Sequence, residues 1–290
     1  MTSPHLKAVI FDIGGVVIRS PFIPVAEYEK ELGVPPNYLN CSIGARGKQG
    51  AWQRFERGEI PLFAFYQAFG SDLSDVKNNN VWYMEYCKRR GIECPKLPES
   101  LDVNGRELFG RMMRGGMLFD DHMLKAIRRL RDIGKWRIIA LTNNFTQYNG
   151  PSDSPLSSRD ANAESVAVIN QAAASVPLSE LEFLGWQEGP TPPRLRALFD
   201  DFCDSSTLGM RKPEPDFFLL ACKRNEIQPE QAVFLDDIGM NLKAASKLGM
   251  ETIHVPLGGT LNALKTLEGK LGVDLTSSPK GDSTMCPSKL

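Results

Sequence analysis

Residues 8–17 constrain this chain more than any other stretch. The apolar run Ala8-Val9-Ile10-Phe11 ends on Asp12 and opens at once into Ile13-Gly14-Gly15-Val16-Val17. A short apolar run bounded by a glycine turn reads as a buried strand. A carboxylate at its carboxyl end, ringed by backbone N–H groups, is placed for nucleophilic or metal chemistry rather than for packing. The pattern recurs further on. Trp136-Arg137-Ile138-Ile139-Ala140-Leu141 delivers Thr142-Asn143-Asn144, a strand or turn near 203–208 leads to Lys212-Pro213, and Ala232-Val233-Phe234-Leu235 ends on Asp236-Asp237, with Asn241 just beyond. Thr252-Ile253-His254-Val255 reads as a closing strand.

Helical segments alternate with these strands. Met123–Ile133 carries Leu124, Ile127 and Leu130 on one face and stops at Gly134. Residues 195–202, 217–224 and 242–248 read likewise. Strands alternating with helices imply an α/β fold with a parallel, doubly wound sheet. Ligands of such sheets bind at the carboxyl ends of the strands, where all four polar clusters fall. Residues 21–115 break the alternation: helical patterns end at Gly33 and Gly70, and others cover 82–90 and 106–114, with no central strand among them. This reads as a helical module inserted after the first strand, with Trp52, Phe55, Phe63, Phe65 and Tyr66 as its own core. The expected division is a core over 1–20 and 116–258, a cap over 21–115, and a C-terminal helix and disordered tail over 259–290. Within the core, residues 147–192 are rich in Ser, Ala and Pro and read as a polar surface insert with a short helix near 163–174.

A formal net charge of −1 gives no global pull toward nucleic acid. No run approaches the roughly 18 apolar residues of a membrane span, and no charged, apolar leader opens the chain. Six cysteines show no CxxC pairing, and three histidines are too scattered for a His-rich metal site. Ser288-Lys289-Leu290 is the tripeptide read by peroxisomal import receptors, so the expected location is peroxisomal, with the cytoplasm as a second compartment.

The four clusters suit one chemistry. Asp12 is a carboxylate nucleophile, Thr142 offers a hydroxyl beside the Asn143 amide, and Lys212 offers a positive charge. Asp236 and Asp237 form an acidic pair suited to Mg²⁺, which binds through few carboxylates and keeps several waters. A lysine, a hydroxyl and a metal converging on one point describe a phosphoryl site, with a phosphorylated small molecule as the partner.

Taken together, FDIGGV, LTNN, MRKPEPD and FLDDIGMN resemble the motif set of the haloacid dehalogenase-like (HAD) hydrolases over residues 7–256. The chain is similar, more closely, to the phosphatase domains that begin soluble epoxide hydrolases and to related domains fused to acyl-CoA dehydrogenases. The resemblance implies a HAD-like Rossmannoid core with a helical cap. It implies Asp12 as the phosphorylated nucleophile, Thr142, Asn143 and the Ile13-Gly14 turn on the phosphoryl group, and Lys212 as its counter-charge. Mg²⁺ would be held by Asp12, the Gly14 carbonyl, Asp237 and Asp236, and Asn241 would orient the acidic loop. One departure stands out. Phosphatases of this family usually carry an acid/base aspartate two residues after the nucleophile, and here that position is Gly14. General acid/base groups contribute about 10²–10⁴-fold, so weakened catalysis is expected. Arg19 and Glu56 are candidates for a substitute. The alternatives are a dehalogenase-type hydrolase, since dehalogenases of the superfamily lack that aspartate, or a non-catalytic HAD fold that binds a phosphorylated ligand or partner. No G-x-S-x-G elbow follows residue 256, so epoxide opening is not expected.

Overall fold

Strand β1 (Ala8–Phe11) lies at the centre of a five-stranded sheet whose pairings are all parallel. Its neighbours are β2 (Arg137–Thr142), flanked by β3 (Asp201–Asp204), and β4 (Ala232–Asp236), flanked by β5 (Glu251–His254). The computed structural model describes residues 2–115, 118–145 and 176–277. Both faces of the central strands are covered, which is why they are apolar along their whole length. Val9 and Phe11 pack on one face against the helices α7 (Asp121–Ile133) and α13 (Thr260–Leu271), while Ala8 and Ile10 face α11 (Pro215–Arg224) and α12 (Gly239–Lys247) on the other.

The chain runs from β1 outward to β2 and β3, then returns to the far side of β1 for β4 and β5. The direction of winding therefore reverses between β1 and β4, and a crevice opens at such a switch point. Phe11 is level with Leu235 and with Ala140, so the register brings Asp12 beside Asp236 on one side and near Thr142 on the other.

Helices α1 (Phe22–Leu32), α2 (Tyr38–Ala45), α3 (Ala51–Glu56), α4 (Leu62–Ser74), α5 (Val76–Arg90) and α6 (Gly105–Gly115) fill the stretch between β1 and α7. They enclose a second core built on Tyr38, Trp52, Phe55, Phe65, Phe69 and Phe109. Of the aromatic residues expected there, Phe63 is a correction: it is 50% exposed. Leu62, Phe65, Tyr66 and Phe69 share the buried face of α4, which turns Phe63 to solvent. Gly70 does not end α4. It sits within the helix because a Cβ there would come 2.8 Å from the Val103 carbonyl, and one on Gly105 would come 2.2 Å from that of Tyr66. Two bare glycines let the backbones of α4 and the start of α6 touch.

Two further expectations are corrected. Residues 195–202 are not one helix: α9 covers Pro193–Arg196 only, and Phe202 lies in β3, where pairing to β2 overrides local propensity. The 147–192 stretch is no surface insert in its described part. Helix α8 (Leu178–Leu184) docks on α6, placing Leu181, Leu184 and Trp186 in the cap's core. Buried Glu180 fixes it there, accepting from Tyr66 Oη at 2.7 Å and Arg106 Nη2 at 2.8 Å. The helix expected near 163–174 and the Ser288-Lys289-Leu290 tripeptide lie outside the described residues. No helix among the described residues is long and apolar enough to cross a membrane.

Candidate active site

Asp12 closes β1 almost fully buried, and its Oδ1 accepts from the Ile13 N–H at 2.6 Å and from Lys212 Nζ at 2.8 Å. Oδ2 takes part in neither contact. The Lys212 ammonium, 1% exposed, bridges Asp12 to Asp236 Oδ2, also at 2.8 Å. Burial works against charge on this lysine, yet the two carboxylates outweigh it and hold its pKa above the ordinary value.

Asn143 places that lysine. Its Oδ1 accepts from the Lys212 backbone N–H at 2.8 Å and its Nδ2 donates to the Lys212 carbonyl at 3.0 Å. The carbonyl oxygen and one of the two amide hydrogens are thus spent on the Lys212 backbone, so Asn143 positions Lys212 whatever else its second hydrogen meets. Ile13 is likewise committed, its N–H to Asp12, its carbonyl to the turn that follows and its side chain to the core. Neither end of its peptide is left for a substrate. Thr142 is buried beside Asp12's strand, with Oγ1 donating to the Asn143 carbonyl at 3.3 Å.

Asp236 is saturated. Beyond Lys212 it accepts from the Ile238 N–H at 2.7 Å, and Asn241 Nδ2 lies 3.1 Å from both of its oxygens. Asp237 is the opposite case, because its Oδ1 is buried with no hydrogen-bond partner among the described residues. Its carboxylate packs directly on Gly15 (φ +86°), where a Cβ would come 2.1 Å from Oδ2. Gly15 is therefore a site residue absent from the sequence expectations, although the doubled glycine after Asp12 is its signal. Gly14 differs from its neighbour: among the described residues an added Cβ would meet only Pro21, at 3.5 Å.

Ligand atoms of Asp12, Asp236 and Asp237 lie within 4.8 Å of one another. Three carboxylates around one ammonium leave the cluster short of positive charge. Burial pushes the Asp12 carboxyl well above its usual range, with Lys212 pulling it down and Asp236 and Asp237 adding to the rise. Burial and the neighbouring Asp236 push Asp237 up to about 6. An orphaned carboxylate oxygen inside an acid-rich pocket is what a hard divalent cation satisfies, so the residues present fit Mg²⁺.

A cap edge closes over this rim. Phe145, three residues past Thr142, stacks on Phe55 at 5.0 Å and meets Trp52 edge-on at 5.3 Å. The Asn144 N–H donates to Ser205 Oγ at 3.0 Å. Burial pushes the Glu56 carboxyl up, and Arg211, at 2.6 Å, pulls it back. Phe145 and Ser205 carry no signal in the sequence, because each lies in a loop or at a short helix start, and Arg211 is marked only as a member of MRKPEPD.

The sequence profile of the haloacid dehalogenase-like hydrolases matches residues 6–249. The chain belongs to this family. Mouse bifunctional epoxide hydrolase 2 is 40% identical over 276 residues, an alignment covering 94% of this chain. The chain spans 40% of that relative's length. A glyceraldehyde 3-phosphate phosphatase of Methanocaldococcus jannaschii is 22% identical over 209 residues, covering 64% of this chain and 83% of its own. Among solved structures, a HAD family enzyme of Bacteroides thetaiotaomicron in a magnesium complex superimposes with a TM-score of 0.50 at 16% identity, covering 90% of this chain and 98% of that one. As a HAD-like hydrolase the chain is an enzyme, and its sheet, winding and motif order are those of the family's core.

Proposed function

We propose that this HAD-like hydrolase is a Mg²⁺-dependent phosphatase acting on a small phosphomonoester through a phosphoryl-Asp12 intermediate. The observation that carries the reading is the convergence on Asp12: its Oδ1 is held by Lys212 and the Ile13 N–H, and ligand atoms of Asp12, Asp236 and Asp237 lie within 4.8 Å of one another, with Asp237 Oδ1 lacking a partner among the described residues. Asp12 would attack phosphorus, forming the aspartyl O–P bond as the ester P–O bond breaks. Lys212 offsets charge on the phosphoryl oxygens, and Asn143 keeps it in line. Asp12 and Asp237, with Asp236 beside them and the Gly14 carbonyl, would hold Mg²⁺, which would supply further positive charge. The departing alkoxide must take its proton from water, since Gly14 offers none. Water then hydrolyses the aspartyl ester, releasing phosphate and regenerating Asp12. The archaeal relative named as a phosphatase supports a phosphomonoester as the substrate class, not that particular molecule.

Release of phosphate from a panel of phosphoesters by purified protein with Mg²⁺ tests the reading. Asp12→Asn should lower the rate on the order of 10⁴-fold or more, as loss of a covalent nucleophile does. It should also abolish the rise in melting temperature given to the native protein by BeF₃⁻ and Mg²⁺. A folded protein silent on the whole panel and unmoved by BeF₃⁻ defeats the proposal. Because Gly14 is also compatible with dehalogenation, metal-free release of halide from 2-haloacids is the outcome that would put that reading in its place. Import into peroxisomes through Ser288-Lys289-Leu290 is part of the proposal; a tagged chain lacking Leu290 should scatter through the cytosol.

A further inference from the structure

Three consecutive cap residues grip the stretch that carries Lys212. Glu56, the last residue of α3, is 4% exposed, and its Oε2 accepts from Arg211 Nε at 2.6 Å. Its backbone carbonyl accepts from the Ser205 hydroxyl at the start of the short helix α10 (Ser205–Leu208). Arg57 Nη1 lies 3.8 Å from Glu214 Oε1. Gly58 (φ +69°) backs onto Ser206, where a Cβ would come 2.8 Å from the carbonyl oxygen. These contacts bracket Lys212 from both sides in sequence. From the core, Asn143 clamps the Lys212 backbone and the Asn144 N–H meets the same Ser205 hydroxyl that Glu56 holds. The 205–214 stretch is thus pinched between the cap edge and the loop after β2, with its lysine 2.8 Å from Asp12.

Glu56 is no replacement for the acid missing at Gly14, because Oε2 is committed to a guanidinium. Arg19, the other candidate, is exposed to solvent. A different role follows from the contacts. A buried ion pair is hard to separate, since either partner left alone is an unpaired buried charge. Glu56 and Arg211 therefore act as one unit across the seam.

We propose that Glu56 is a positioning residue: by holding Ser205 and Arg211 against the seated cap, it fixes the 205–212 stretch so that Lys212 reaches Asp12 and Asp236. Its effect on turnover rests on the phosphatase reading; its effect on the placement of 205–212 does not.

Glu56→Gln keeps the shape and removes the charge. With the full chain at 25 °C, kcat for p-nitrophenyl phosphate with Mg²⁺ should fall about 10- to 100-fold, the scale of a small misplacement, with KM changed far less. Hydrogen exchange at the amides of 205–212, read by mass spectrometry, should quicken in the same variant. Arg211→Lys, which retains a cation for Glu56, should keep part of both. A folded Glu56→Gln protein with native exchange over 205–212, or with a lowered melting temperature but native kcat, overturns the proposal. Should Glu56→Gln fail to fold, Arg211→Gln measured in the same two ways takes its place. If the native protein hydrolyses no phosphoester, the phosphatase reading has failed, and the exchange comparison alone then decides the positioning claim.

Discussion

The rim around Asp12 and the seam between cap and core are both buried and charged, but they are assembled by different means. At the rim, Asp12 follows β1 while Thr142 and Asp236 end β2 and β4, and the sheet register sets Asp12 level with Asp236 and one residue short of Thr142. At the seam, Glu56 meets Ser205 and Arg211 across 149 and 155 residues, from short helices and loops with no shared register. The rim is a property of the sheet. The seam exists only once two separately built cores are pressed together. Chemistry is accordingly concentrated in the first region, and the conditions for it in the second.

The sharpest way to break this contrast is to repair the rim without touching the seam. Gly14→Asp has room for its Cβ beside Pro21 and places a carboxyl two residues after Asp12. Turnover of alkyl phosphates should rise by about 10²–10⁴-fold, the usual worth of an acid/base group, with unchanged exchange at 205–212. No gain would mean that leaving-group protonation does not limit the enzyme. Phe145→Ala probes the other side. It removes the ring that joins Trp52, Phe55, Phe109 and Trp186 to the core, and should cost about 3–5 kcal/mol in denaturant unfolding. A loss below about 1 kcal/mol would show that the cap is held elsewhere.

A smaller effect tests the acid cluster. Saturating Mg²⁺, at about 100 times its dissociation constant, should stabilise the native protein by about 2.7 kcal/mol. Asp237→Asn removes the charge of the carboxylate whose Oδ1 lacks a partner among the described residues and should erase most of that gain; a full gain in the variant would move the cation off Asp237. Smallest of all, Phe63→Ser should change stability within about 0.5 kcal/mol, because the ring is half exposed. A large loss would mean that Phe63 packs against a surface other than the buried face of α4.

How much of this is legible in the sequence follows the same division. Strand ends announce themselves, because packing alone gives an apolar run no reason to stop abruptly on Asp12 or Asp236. The aromatic cap core is visible from composition, except for Phe63, whose helical phase decides its side of α4. Asn143 reads as a ligand contact because an amide beside the Thr142 hydroxyl looks like one; only the fold shows its carbonyl oxygen and one amide hydrogen spent on the Lys212 backbone. Gly70 reads as a helix stop in sequence, and as a point of backbone contact in space.

The sequence by itself determined the parallel α/β sheet, the four polar clusters and their meeting at one edge, since apolar periodicity fixes strands and parallel winding fixes which ends share a side. Only the tertiary structure decided that α8 belongs to the cap, that Gly15 must be bare for Asp237 to fit, and that Glu56 grips Arg211. Those facts depend on which surfaces meet, and a contact between distant, non-periodic segments leaves no mark on either segment alone.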